Sequence, residues 1–186
     1  MLATFIAASL VILLTPGPTN TLLAASGAVF GPRRGAVLAL AEAAGYTVAI
    51  GFFIVLAAIL PDSVAAMSAL KAAAAAWLLV SAVDLWRRPA RFSGVAEISA
   101  AARRVFVTTI LNPKAMLVGA VVIPGLMPGH SAKAVAVYVV LSSMAGLAWL
   151  TMGAWLPLRA RPYVYKAAAV VLGAFSVAAA TSSVGG

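Results

Sequence analysis

Cysteine is absent from this chain, and ionisable side chains of the kinds that catalyse reactions are scarce. The 186 residues include no Cys, one His and four acidic residues. Without thiols there can be no disulfide, no thiolate metal site and no thiol-exchange chemistry. One histidine and four acids also leave few ligands for a catalytic metal. The sequence therefore predicts neither an enzyme nor a bound metal or cofactor.

Charge is also scarce, and apolar residues fill the space that it leaves. Charged residues make up 9% and hydrophobic residues 64% of the chain, whereas a soluble domain carries roughly 25% charge. A membrane-spanning helix needs about 20 mainly apolar residues. Six stretches meet that need, and we predict an all-α polytopic membrane protein with one transmembrane domain over residues 1–186 and no soluble domain. The predicted spans are 2–28, 35–60, 64–86, 103–123, 133–156 and 163–182.

The basic residues are distributed unevenly between the predicted loops. The loops at 29–34, 87–104 and 157–166 carry ten Lys and Arg residues, whereas the alternating loops carry only Lys71 and Lys133. Loops rich in Lys and Arg face the cytoplasm, so both termini are predicted to lie outside. The net charge of +9 is explained by this asymmetry, and a nucleic-acid partner is not predicted. Because residues 1–14 contain no Lys or Arg, the first stretch is interpreted as a retained span and not as a signal peptide.

Two proline-containing segments interrupt apolar stretches at corresponding places in the chain. Proline removes a backbone donor and clashes with the preceding turn, so each segment should break its helix. Broken backbone is tolerated in a bilayer only where protein or a water-filled cavity satisfies it. A pair of such breaks indicates the binding site of a transporter. The candidate residues at the breaks are Pro16, Gly17, Pro18, Asn20, Asn112, Pro113 and Lys114.

The spacing of the breaks suggests an internal repeat. Pro18 and Pro113 lie 95 residues apart, close to half the chain, which divides into half-repeats of about 1–93 and 94–186. With three spans in each half, the second half enters the membrane from the opposite side. We therefore predict a 3+3 inverted repeat in which helices 1 and 4 are broken. The alternative is two unrelated proline kinks, since proline is common in membrane helices.

Two ionisable residues lie inside predicted spans at similar depths. Glu42 is about 12 Å and Lys114 about 15 Å from the cytoplasmic ends of their helices, at 1.5 Å per residue. We expect the two side chains to approach each other, with Tyr46 one turn beyond Glu42 on the same face. Intramembrane ionisable groups usually mark substrate or ion pathways. The alternative is a static ion pair that holds two helices together.

Several of these segments resemble the signature of the LysE/RhtB family of amino-acid exporters. The segments are Thr15-Pro16-Gly17-Pro18-Thr19-Asn20, Gly35 at the start of the second span, Leu70-Lys71 at the start of the third, and Leu111-Asn112-Pro113-Lys114. Length, span count and motif order are similar over nearly the whole chain. An acid at position 42 departs from the small residue expected there.

The resemblance implies a secondary exporter of amino acids or related small metabolites in the bacterial inner membrane. Protons are the coupling ion that it implies, and Glu42 is the candidate coupling acid. The expected partners are the amino-acid substrate, protons and the lipid bilayer; the sequence is also compatible with a homo-oligomer. Two alternatives stay open: an uncoupled small-solute channel, and a membrane assembly protein that transports nothing.

Overall fold

The computed structural model describes residues 1–59, 64–87, 95–157, 160 and 163–184, and within these ranges the protein contains helices and no strand. Residues 118–122 form a π-helical turn that joins two short helices into one bent segment. The α-helices are α1 (Leu2–Leu14), α2 (Pro18–Ile59), α3 (Val64–Arg87), α4 (Val95–Ile110), α5 (Pro113–Leu117), α6 (Ile123–Leu126), α7 (Ser131–Ala154) and α8 (Val164–Val184).

Helix α2 is a helical hairpin and not one straight rod. Gly31 adopts φ 74° and ψ 170°, a backbone conformation that is open essentially to glycine alone. In a straight helix, Leu23 and Glu42 would lie about 28 Å apart. Instead, both side chains come within 3.5 Å of the position that a Cβ atom on Gly146 would occupy. Residues 18–30 and 32–59 therefore form two arms that lie side by side, close to the predicted boundary at 29–34.

Helix α7 packs against both arms of α2 and makes the most extensive helix contact in the fold. Small residues allow the backbones to approach closely, because a Cβ atom on Gly27 would overlap the Leu150 carbonyl and one on Gly153 would overlap the Ala24 carbonyl. Close contact through small residues is typical of helices that associate within lipid. The hairpin and α7 thus form a tightly packed core.

Helices α3 and α8 form a second, antiparallel pair, and α4 contacts α3. The Ser176 hydroxyl donates to the Ala75 carbonyl at 2.8 Å, and the Trp77 indole donates to the Thr108 hydroxyl at 2.8 Å. Asp84 forms an ion pair with Arg104. The prediction of a loop over 87–104 was wrong in its second part, because α4 begins at Val95. Glu97 in its first turn suits the positive end of a helix dipole.

The second arm of α2 exposes large apolar side chains and buries polar ones, as expected for a helix in lipid. Leu40, Val48 and Phe52 are exposed, whereas Glu42 and Tyr46 are buried. In water, exposed apolar patches of this size would be unfavourable.

Three helices in the described ranges are long and apolar enough to cross a membrane, and the pair Glu97–Ile110 and Pro113–Leu126, bent by 41°, makes a fourth if it counts as one span. Six spans in a 3+3 repeat stay a prediction. The three are Pro18–Ile59, Ser131–Ala154 and Val164–Thr181.

Candidate functional site

The first helix break lies between α1 and α2. Thr15 is extended, with φ −62° and ψ 129°, as expected for a residue that precedes a proline. Pro18 opens α2, where its fixed φ suits the first helical position. The Asn20 amide then reaches back and donates to the carbonyl oxygens of Leu13, at 2.8 Å, and Thr15, at 2.9 Å. Asn20 therefore satisfies carbonyl groups that the break leaves without helical partners.

The second break lies between α4 and α5 and has a similar design. Asn112 is extended, with φ −80° and ψ 125°, and caps α5, which Pro113 opens. The Asn112 side-chain oxygen, Oδ1, accepts from the Lys114 backbone N–H at 3.0 Å. As at the first break, the proline stands at the start of the new helix, and the old helix ends before it because no N–H is available to continue the ladder.

The two breaks contact each other, although they lie in opposite halves of the sequence. The Asn112 amide donates to the Thr19 hydroxyl at 3.0 Å, and the Lys114 ammonium donates to the Thr15 carbonyl. A Cβ atom on Gly17 would lie 3.1 Å from Lys114 Cε, so Gly17 gives the lysine room to reach the first break. The predicted residues of both breaks thus come together in one place.

Glu42 is buried in the hairpin, with 1% of its surface exposed. Its Oε2 atom has no hydrogen-bond partner and faces Gly146 of α7, where a Cβ atom would overlap it. Glu42 and Lys114 are close enough for Coulombic attraction. They form no direct ion pair in the part of the chain that the structure describes, because the lysine bonds to Thr15 instead. The approach that the sequence predicts is therefore only partial.

Tyr46 lies one turn from Glu42 and contacts a residue that the sequence analysis missed. Its ring packs edge to face on Tyr138 of α7, with centroids 5.2 Å apart and planes at 80°. Both rings are fully buried, and neither hydroxyl has a partner in hydrogen-bonding geometry. Tyr138 and Gly146 lie on one face of α7, since they are eight residues apart. The spacing could have predicted that the two residues share a helix face. The sequence does not show which other helix packs against that face.

A separate cavity of ≈ 190 Å³ lies on the other side of the second break, between α3, α4 and α8. Asn112 and Pro113 contribute to its wall, but Glu42 and Tyr46 do not. The wall is mainly apolar, with Phe53, Leu78, Met116 and Phe175 among its side chains. The second break therefore borders an apolar cavity whose wall does not include Glu42, Tyr46 or Tyr138.

No family model, no curated protein and no solved structure matches this chain. Within the described ranges, no group of three or more His, Cys, Asp or Glu residues could hold a metal ion. The paired breaks and the buried side chains around Glu42 are the features from which function can be argued.

Proposed function

We propose that this chain is a secondary active exporter of amino acids or related small metabolites across the bacterial inner membrane, coupled to the proton gradient. The observation that carries the proposal is the contact between the two broken helices, through the bonds of Asn112 to Thr19 and of Lys114 to Thr15. Paired breaks of this kind form the binding sites of many transporters. The resemblance to the LysE/RhtB exporters supplies the substrate class and the membrane.

Alternating access needs contacts that can be exchanged. At the first break, the carbonyl oxygens of Leu13 and Thr15 accept from the side chains of Asn20, Lys114 and Trp149. No backbone N–H of the described residues donates to them. A side-chain donor can be replaced by a substrate ammonium without unwinding a helix. In this proposal the substrate takes over part of this network, and the bundle then opens on the other side.

Glu42 is the coupling acid in this proposal. A buried carboxyl group with an unpartnered oxygen is stable in the low-dielectric interior when it is neutral or paired with a cation. It can take up a proton on one side of the membrane and release it on the other as the surrounding helices move. Six spans, outward termini and any oligomer belong to the same proposal.

Metabolite profiling of culture medium tests the proposal. Medium from a strain that overexpresses the chain is compared with medium from a deletion strain and from one that overexpresses Asn112→Ala. We expect one or a few amino acids to be enriched outside the wild-type cells only. Identical media from the wild-type and deletion strains under amino-acid loading would contradict the proposal. Efflux that is unaffected when the proton gradient is collapsed would favour an uncoupled channel.

A further inference from the structure

The cluster of Glu42, Tyr46 and Tyr138 contains buried polar atoms without partners. Glu42 Oε2 has no hydrogen-bond partner. The two phenol hydroxyls lie close enough to interact with each other but form no bond of good geometry, and all three side chains are at most 1% exposed. A buried polar group without a partner is strongly unfavourable, and in native structures such groups are few. Three of them on two facing helices indicate a place that is designed to receive a ligand.

The packing around the cluster leaves room for the carboxylate. A Cβ atom on Gly146 would overlap Glu42 Oε2, so the carboxyl group occupies the space that a side chain on α7 would otherwise fill. The two phenol rings cover another side at van der Waals distance from each other. The Ser9 hydroxyl, also buried and unpartnered, lies on the face of α1 that includes Phe5 and Leu13, both of which belong to the same core region as the tyrosines.

The charges around the cluster specify the ligand. One carboxylate supplies a single negative charge, and the phenols are neutral oxygen ligands with lone pairs. Among the residues that the structure describes, Lys114 is the cation that attracts Glu42, and its ammonium group already donates to the Thr15 carbonyl. A divalent ion is disfavoured, because the described residues contain no group of three metal-ligating side chains.

We propose that Glu42, Tyr46 and Tyr138 form a binding site for a monovalent cation, with Gly146 providing the space for the carboxylate. Two sources share this chemistry: an alkali metal ion such as Na⁺, and the primary ammonium group of a transported substrate. The role of this site in export rests on the proposed function. Cation binding at the site does not.

Thermal unfolding of the purified full-length chain in detergent tests the site directly. The midpoint is compared in NaCl, methylammonium chloride and choline chloride at equal ionic strength. Choline serves as the reference because its trimethylated head is bulky and donates no N–H hydrogen bond. We expect a higher midpoint in at least one of the first two salts. A rise in NaCl identifies an alkali ion, and a rise in methylammonium alone identifies an ammonium group. Equal midpoints in all three salts would overturn the inference.

Three variants locate the effect. Glu42→Gln should abolish the cation-dependent rise, whatever it does to the midpoint in choline. Tyr138→Phe should raise the cation concentration for half of the effect about tenfold, which corresponds to about 1.4 kcal/mol. Glu97→Gln removes the same charge from the first turn of α4 and should leave the rise intact.

The variants also keep the test decisive. A cation-dependent rise that persists in Glu42→Gln overturns the site. If Glu42→Gln does not fold, an unchanged response of Tyr138→Phe overturns it instead. The unfolding measurement does not depend on transport, so it tests the cation site even if the chain exports no amino acid. Export can likewise be measured in culture medium even if the cation site is absent.

Discussion

The bridge between the two helix breaks gives the sharpest test of the structure. Asn112 makes two bonds through its side chain: its oxygen caps α5 by accepting from the Lys114 N–H, and its amide donates to Thr19. Losing a cap typically destabilises a protein by about 1 kcal/mol, and losing a buried hydrogen bond by about 1 kcal/mol. We therefore expect Asn112→Ala to lower the free energy of unfolding by about 2 kcal/mol.

A double-mutant cycle separates the bridge from the cap. Thr19→Val leaves the cap intact; it removes the bridge and the long bond that the Thr109 hydroxyl donates to Thr19 at 3.4 Å. It should lower the free energy of unfolding by about 1 kcal/mol. The double variant should then lose less than the sum of the single variants, with a coupling energy of about 1 kcal/mol, because the bridge is lost only once. Unfolding in mixed micelles with increasing SDS measures each value.

A matched cycle provides the control. Thr181 is exposed, and its hydroxyl bonds only to carbonyls of its own helix, Val177 at 3.1 Å and Ala178 at 3.0 Å. Thr181→Val combined with Asn112→Ala should be additive. If the Thr19 cycle is also additive to within about 0.3 kcal/mol, the two breaks do not contact each other as the structure describes. They would then not form one binding site.

Three further predictions concern the hairpin, the cluster and the topology. Gly31→Ala should lower the free energy of unfolding by about 1–3 kcal/mol, because its backbone conformation is nearly forbidden to alanine. Gly173→Ala is the control: it lies in open space on α8 and should be neutral or slightly stabilising in the same SDS titration. Gly146→Ala should lower the free energy of unfolding by about 1 kcal/mol, because the Glu42 carboxyl group must shift away from the added methyl group. A stability equal to that of wild type would contradict tight packing of this carboxyl group against α7. A single cysteine at position 94, which lies outside the described residues, should resist an impermeant thiol reagent in cells with a permeabilised outer membrane; its labelling would reverse the predicted orientation.

The helix breaks could be predicted from the sequence because proline acts locally. Pro16 and Pro113 fall where helices end in the structure, since a missing N–H breaks the ladder whatever surrounds it. The turn of the hairpin at Gly31 lies within the predicted loop at 29–34. This effect is local too, because essentially only glycine tolerates that backbone conformation.

The interior of the site could not be predicted, because it depends on how helices from different parts of the chain pack. Tyr138 lies in a mainly apolar helix, and only the fold brings its ring against Tyr46. Depth alone placed Glu42 and Lys114 near each other, but depth does not fix the direction of a side chain. Lys114 therefore bonds to the Thr15 carbonyl, an acceptor that exists only because the first helix is broken there.

The start of α4 at Val95 was missed for a different reason. Arg103 and Arg104 made residues 87–104 resemble a cytoplasmic loop, although a helix can carry such residues where they find partners. Arg104 finds one in Asp84 of α3. Charge patterns therefore predict which side of the membrane a segment faces, and that stays a prediction; they do not predict its secondary structure.

Transport by the purified chain in proteoliposomes with an imposed pH gradient is the decisive test of proton-coupled export. Vesicles are given a mixture of isotopically labelled amino acids, and wild type is compared with Glu42→Gln and with the double variant Glu42→Gln, Lys114→Met. We expect the gradient to drive wild-type vesicles to accumulate at least one amino acid beyond equilibrium. Both variants should fold but should not accumulate it. No gradient-driven accumulation by folded wild type would contradict the exporter, and full accumulation by the double variant would contradict Glu42 as its coupling acid.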